Sequence, residues 1–435
     1  MNNVVAIVGR PNVGKSTLFN RLIGERKAIV DDISGVTRDR IYGESDWNGR
    51  EFNVVDTGGF VKSSDEIFEV EIRKQVRVAI EEAAVILLVV DVTTGITDLD
   101  QEMTEMLRRS KKKSILVVNK VDNHQRELDA NEFYSLGFES THFISSITGG
   151  GTGELLDEVV KHLETETSKL PAGIPKFAIV GQPNVGKSSM LNALVGEERN
   201  IVTDIPGTTR DVIHTHYKKY DKEFYLIDTA GIRRQGKVHE DLEFFSVIRA
   251  IKAIEDADVC ILMIDATAKV LEHQDLKIFS TAVHKKKGVM LVVNKWDLME
   301  KETNTMKDFE DGLRKKLQPF SDVPIVFTSV LEKQRIFKVV ETALRVFDNR
   351  KRLVPQQELY DWMLDVTQQS PPPSYRGNFI RFKRVEQIPL QIPAFAIYCN
   401  FPEGVRDPYR NYLENSLRKR YDFSGSPVHI YFRKP

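Results

Sequence analysis

Two short stretches of this chain have the residue types that hold phosphate. Residues 9–16 read GRPNVGKS and residues 181–188 read GQPNVGKS, both fitting G-x-x-x-x-G-K-[ST]. Between a strand and a helix, such a run lets its glycines turn the backbone so that N–H groups face phosphate oxygens. The following helix N-terminus adds positive potential. Lys15 and Lys187 then supply point charges to the β- and γ-phosphates, and Ser16 and Ser188 supply hydroxyls to Mg²⁺. Gly9, Asn12, Val13, Gly14 and Thr17 complete the first cradle, and Gly181, Asn184, Val185, Gly186 and Ser189 the second.

Three further elements occur twice. Asp56 and Asp228 each close an apolar run and precede Thr-Gly-Gly and Thr-Ala-Gly. An acid there can hold Mg²⁺, and Gly59 or Gly231 can donate its N–H to the γ-phosphate. Thr37 and Thr209 lie in SGVTRD and PGTTRD loops, where a threonine can ligate Mg²⁺ and order with GTP, then release after hydrolysis. Lys15, Thr37, Lys187 and Thr209 are therefore the expected catalytic residues. Asn119-Lys120-Val121-Asp122 and Asn294-Lys295-Trp296-Asp297 also follow apolar runs. An aspartate can accept from the ring N–H and the amino group of guanine. Adenine offers neither donor on that edge and would leave the acid unpaired, so guanine is selected. The lysine stem can lie over the base, and the asparagine can tie this loop to the phosphate loop.

These elements must be positioned by a duplicated domain. VAIVGRPNVGKST (5–17) recurs as FAIVGQPNVGKSS (177–189) at an offset of 172, shared by the G-x-T-R-D and DTGG/DTAG segments. The offset grows to 175 at the NKxD elements and to 184 at FISS (143–146) and FTSV (327–330). In each copy, short apolar β-branched runs alternate with longer amphipathic stretches such as 66–84 and 242–257. Runs at 4–8, 52–55, 85–90, 115–118 and 142–144 recur at 177–180, 224–227, 259–264, 289–293 and 324–327. That alternation predicts α/β domains with mainly parallel sheets flanked by helices, and ligands at the C-terminal strand ends. The expected division is 1–165, a linker at 166–175, 176–349, and a smaller α+β domain at 350–435.

Composition bounds the rest. Of 435 residues, 41% are hydrophobic and 29% charged, which excludes wholesale disorder. Cys260 and Cys399 alone cannot build a disulfide framework, and a reducing, cytoplasmic setting is expected. The apolar runs fall far short of the ~20 residues that cross a bilayer, so no membrane anchor is expected. The net charge of −1 hides a polarity. Residues 345–435 hold 15 Lys+Arg and 9 Asp+Glu, while residues 1–344 hold 47 and 54. Basic clusters at 350–352, 381–384 and 418–420 interleave with Tyr375, Phe379, Phe382, Tyr409, Tyr412 and Tyr421. Cations with stacking surfaces suit RNA. Packing within the fold, or docking on the nucleotide domains, accounts for the same residues, because Tyr409, Tyr412, Leu413 and Leu417 recur at helical spacing. No G-x-x-G clamp occurs in this region.

Together GxPNVGKS, GTTRD, DTAG and NKxD in two tandem copies, followed by a small basic domain, resemble the Der (EngA) family of tandem-domain, Era-like ribosome-assembly GTPases. The likeness runs through GIRRQGKV (231–238), SVIRAIKAIEDADV (246–259) and 409–434. It implies a KH-like third domain and a large-ribosomal-subunit partner, including its ribosomal RNA. It also implies monomeric, nucleotide-dependent ribosome association. Asn12 and Asn184 match the asparagine that helps hold K⁺ beside the phosphates. Phe60 and Ile232 stand where a Ras-type enzyme has its glutamine, which implies slow unaided hydrolysis. Arg38, Arg210, Arg233 and Arg234 are nearby cations. The last guanine-contacting loop falls at Ser145-Ser146 and at Ser329-Val330. The second copy replaces the run GGGTGEL (149–155) that follows this loop in the first, leaving that loop's conformation open. Two other readings fit a GTPase module, an RNA-modification enzyme and an interaction scaffold with little turnover. The first would need a reactive C-terminal cysteine, whereas this chain ends FRKP.

Overall fold

Apolar β-branched runs become central strands here. In the computed structural model, the described residues are 3–24, 42–57, 76–77, 79–80, 83–163, 173–195, 214–227, 250–268, 271–300 and 304–435. The chain divides into two compact units, Met1–Leu170 and Pro171–Pro435.

The first unit holds a six-stranded sheet, ordered β2-β3-β1-β4-β5-β6. Its strands are β1 (Val4–Val8), β2 (Tyr42–Trp47), β3 (Arg50–Asp56), β4 (Val85–Asp91), β5 (Lys113–Asn119) and β6 (Thr141–Phe143). All neighbours are parallel except β2 and β3. Every residue of β4 is buried, as a strand covered on both faces requires. Alternation along β1 sends Val5 and Ile7 to one core, with Leu18, Phe19 and Leu155. It sends Ala6 and Val8 to the other, with Met103, Leu107 and Phe133. The helices are α1 (Lys15–Ile23), α2 (Asp98–Ser110), α3 (His124–Asp129) and α4 (Thr152–Lys161). At α2 the start is fixed by a reciprocal cap between Thr97 and Asp100.

The second unit repeats this order as β8-β9-β7-β10-β11-β12. These are β7 (Lys176–Val180), β8 (Thr215–Lys219), β9 (Lys222–Ile227), β10 (Val259–Asp265), β11 (Gly288–Asn294) and β12 (Ile325–Phe327). With them stand α5 (Lys187–Val195), α6 (His273–His284), α7 (Thr305–Lys316) and α8 (Ile336–Lys351). Cys260 lies buried in β10, where burial pushes its thiol up to about 12. Of the expected helices at 66–84 and 242–257, only the C-terminal parts fall among the described residues, and 250–256 is helical. The hairpin strands β2 and β8 were not foreseen, because YGESDW and THYKK lack an apolar face. The Asn48-Gly49 tip was a hairpin signal, with φ of 50° and 76°. Tyr220 and Asp221 hold 50° and 56° at the matching tip without a glycine.

A smaller sheet, β13 (Phe382–Ile388), β14 (Ala394–Cys399) and β15 (His429–Arg433), packs with α9 (Gln356–Gln369) and α10 (Asp407–Arg420). This is the smaller α+β domain that the sequence led us to expect, and it is bonded to the domain before it. The Val289 N–H, at the start of β11, donates to the Gly425 carbonyl at 2.7 Å, and Gly425 N–H to Asp322 at 2.8 Å. Arg350, 4% exposed, pairs with Asp258 at 3.3 Å. Arg418 pairs with Asp322 at 3.2 Å and lies over the Phe320 ring. Helix α8 runs across the expected border at 349/350, and Asn349 donates to Asp422 and the Ser424 carbonyl. Two of the three basic clusters therefore spend an arginine on the preceding domain, and in the third Arg384 pairs with Glu386 at 3.4 Å and lies over the Tyr398 ring. Of the six interleaved aromatics, only Phe379 is exposed.

Candidate functional site

Each phosphate loop joins the end of a core strand to a helix, β1 to α1 and β7 to α5. Its shape is dictated at two glycines. Gly9, at φ 150°, would place a Cβ 2.4 Å from the Val89 carbonyl oxygen, and Gly181, at 143°, one 2.2 Å from that of Met263. Gly14 and Gly186, at φ 96° and 101°, would each drive a Cβ to 2.3 Å from an asparagine Nδ2, of Asn119 and Asn294. Only glycine fits such contacts in this backbone region. Between them Asn12 and Asn184 sit at φ 64° and 63°.

The lysines curl back over the loop. Lys15 Nζ donates to the Gly9 and Arg10 carbonyls at 2.8 and 2.7 Å. Lys187 Nζ donates to those of Gly181 and Gln182 at 2.8 and 2.5 Å. Both side chains are buried. Burial pushes the Lys15 ammonium down to about 8, against an opposing pull from Asp56. Lys187 is likewise pushed down to about 8, opposed by Asp275. A buried cation without a full counter-charge favours an anionic ligand. Beside Lys15, the Ser16 hydroxyl donates to Asp56 at 2.7 Å. Hydroxyl and carboxylate oxygens together are a hard donor set that fits Mg²⁺.

The NKxD loops tie into the phosphate loops through their asparagines. Asn119 Nδ2 donates to the Val13 carbonyl at 2.8 Å, and Asn294 Nδ2 to that of Val185 at 2.8 Å. Their Oδ1 atoms accept from Ser146 N–H at 2.9 Å and Val330 N–H at 3.1 Å. The change from serine to valine thus leaves the backbone contact intact. Loss of the glycine run is absorbed by the backbone. Lys333 and Arg335 take φ 53° and 59° where Gly149 and Gly151 hold 91° and 73°. Asp122 accepts from Ser145 and Arg126, whereas Asp297 has no hydrogen bond among the described residues. Trp296 packs edge-on against Phe327.

Several contributors were missed. Lys120 pairs with Asp91 at 2.5 Å and Lys295 with Asp265 at 2.5 Å, fixing both lysines at positive φ. Burial would raise Asp91 and Asp265, but bonds from the lysine and from Thr93 or Thr267 outweigh it and hold both low. Their common place at a strand end in both copies was the signal. Arg10 pairs with the buried Asp100 at 3.2 Å. In the second copy Gln182 donates to Asp275 at 2.8 Å and leaves the other carboxylate oxygen buried without a partner. Burial pushes Asp275 up to about 6. Asp157 receives the Trp47 indole and Asn48 amide. Thr37, Gly59, Phe60, Thr209, Asp228, Gly231, Ile232, Arg38, Arg210, Arg233 and Arg234 lie outside the described residues.

A family model described as a 50S ribosome-binding GTPase matches residues 4–120 and again 176–295. A second, described as the KH-domain-like C-terminal part of EngA bacterial GTPase enzymes, matches residues 353–433. The chain is 54% identical over 434 residues to "GTPase Der" of Christiangramia forsetii, covering 100% of each. It is 55% identical over 437 residues to that of Bacteroides fragilis, again covering 100% of each. A variant of Aquifex aeolicus Era, bound to GDP and tetrafluoroaluminate, aligns at a TM-score of 0.31 and 20% identity, over 75% of this chain and 91% of its own.

Proposed function

The chain belongs to the Der family of GTPases, and from that premise we propose that it acts in maturation of the large ribosomal subunit. In this reading it binds the subunit in one nucleotide conformation and leaves after hydrolysis, as a cytoplasmic monomer. The observation that carries it is the double match to a 50S ribosome-binding GTPase model, joined to likeness over the whole chain.

The residues divide the work at each site. Lys15 and Lys187 neutralise the β- and γ-phosphates from buried positions, and the backbone N–H groups of residues 13–17 and 185–189 cradle them. Asp122 and Asp297 accept from guanine, with Lys120 and Lys295 beneath the base. Ser145, Ser146, Ser329 and Val330 flank its far edge. Ser16 with Asp56, and Ser188 with Asp228, would hold Mg²⁺, together with Thr37 and Thr209. Bound there, Mg²⁺ neutralises charge that develops on the phosphate oxygens. Asn12 and Asn184 are exposed and carry no side-chain hydrogen bond among the described residues. Their amide oxygens suit K⁺. The domain limits that go with this reading are 1–165, 176–349 and 350–435, with a linker at 166–175.

The full-length protein is pelleted with ribosomal subunits in GDP and in a non-hydrolysable GTP analogue. Retention on the large subunit that differs between the two nucleotides is expected. Equal absence from every subunit in both nucleotides would sink the reading.

A further inference from the structure

The two copies share a fold but not one corner. In each, the tip of an antiparallel hairpin meets the helix that follows the last guanine loop. The first copy closes this corner. Trp47 Nε1 and Asn48 Nδ2 donate to Asp157 at 2.7 and 2.9 Å, and Arg50 donates to the Val160 carbonyl at 2.7 Å. Arg21 adds a bond to the Ser146 carbonyl at 3.2 Å.

The second copy opens it. Tyr220 replaces Asn48 and Phe337 replaces Gly153. Their rings meet edge-on at 5.2 Å, yet stay 63% and 51% exposed. Ala193 stands where Arg21 tethers the first loop. Charge reverses as well. Residues 46–51 and 147–158 hold one base and five acids, whereas the matching 218–223 and 331–342 hold six bases and four acids. Two of those bases, Lys333 and Arg335, occupy left-handed backbone where the first copy uses glycine. Long cations there are strained relative to glycine. The fold itself does not need them, since the first copy does without.

We propose that this corner of the second GTPase domain, Tyr220 and Phe337 with Lys222, Lys333 and Arg335 beside them in the hairpin and the loop, binds a single-stranded segment of RNA. Exposed aromatic faces stack unpaired bases irrespective of sequence, and surrounding cations follow the phosphates. This places an RNA contact outside the C-terminal domain. It stands apart from the ribosome reading, because naked RNA tests it. The loop that carries Lys333 and Arg335 starts at Ser329-Val330. Val330 N–H bonds Asn294, which bonds the phosphate loop at Val185. The corner is thus joined to nucleotide site two by two hydrogen bonds.

The test is fluorescence anisotropy of the full-length protein with a labelled, mixed-sequence single-stranded RNA 12-mer over a salt series. Tyr220→Ala with Phe337→Ala should weaken binding about 10-fold or more. Lys333→Gly with Arg335→Gly restores the first copy's glycines, so it preserves the fold. It should flatten the log–log salt slope by about 1.4, from two lost phosphate contacts. Unchanged affinity and slope in both variants would overturn the proposal. So would weakened binding to ribosomal subunits with unaltered binding to the oligomer, which would make the partner a protein.

Discussion

Replacing Gln182 by arginine would give the second phosphate loop the ion pair that Arg10 gives the first. Asp275 is 4% exposed, and its second oxygen has no partner. The groups that face it are Gln182, the Glu272 backbone and carboxylate, and Lys187. Burial holds its pKa at about 6 against an ordinary 3.8, so the ionised form costs the fold about 3 kcal/mol. The native state keeps this proton longer than the unfolded chain does. Stability from Asp275 is therefore whole below about pH 4, falls as pH rises towards about 6, and is level above that. An arginine at 182 that restored the ordinary value would return up to about 3 kcal/mol at pH 8, and well under 1 kcal/mol at pH 4. Hydrogen exchange in the full-length protein reads this directly. Protection of residues 176–194 should rise roughly 10- to 100-fold at pH 8 in Gln182→Arg, corrected for intrinsic exchange. Residues 4–23 serve as the internal control and should not change. A gain of equal size at both pH values, or none at pH 8, would refute burial of an under-paired carboxylate as the cause.

Lys15 and Lys187 both stand at about 8, so each is half protonated at pH 8. Phosphate contact should restore the charge, giving proton uptake of roughly 0.5 per site at pH 8, read by titration calorimetry in buffers of different ionisation heat. Lys15→Ala and Lys187→Ala should each weaken GTP roughly 10- to 100-fold at their own site, from the loss of charge-assisted contacts. Equilibrium binding of a fluorescent GTP analogue, with the other site as reference, checks this. Gly186→Ala should break the bond from Asn294 to Val185 and strain the loop by about 1–3 kcal/mol. Weakened GTP binding at site two alone is the expected readout. Phosphate release in KCl and in NaCl checks the role of Asn12 and Asn184. K⁺ should stimulate turnover, and Asn12→Ala with Asn184→Ala should abolish the difference.

What was legible in the sequence was what short-range backbone geometry encodes. A phosphate loop is written in eight consecutive residues, and the bond from Asn119 to Val13 follows from the NKxD pattern. The central strands were legible because β4 and β10 are apolar on both faces. The hairpins were not, because β2 and β8 carry polar and charged residues on one side and little apolar contrast. Arg10 and Asp100 are 90 positions apart, and only the sheet order brings them together. Charge counting also misled in part at the C-terminus. Arg350 and Arg418 entered the total as a basic surface, yet each is spent on an acid of the preceding domain.

Helix α8 bears on how such chains can be recombined. Its body packs on the second GTPase domain, and its last turn sends Asn349 into the KH-like domain and Arg350 back to Asp258. A chimera joined at residue 350 would pair a foreign loop with the Val289 N–H and would leave Asp258 facing a stranger. Exchange between relatives should therefore move α8 together with residues 422–425, or use the junction near 171 that separates the two compact units. Modular by sequence, the last two domains are inherited as one piece.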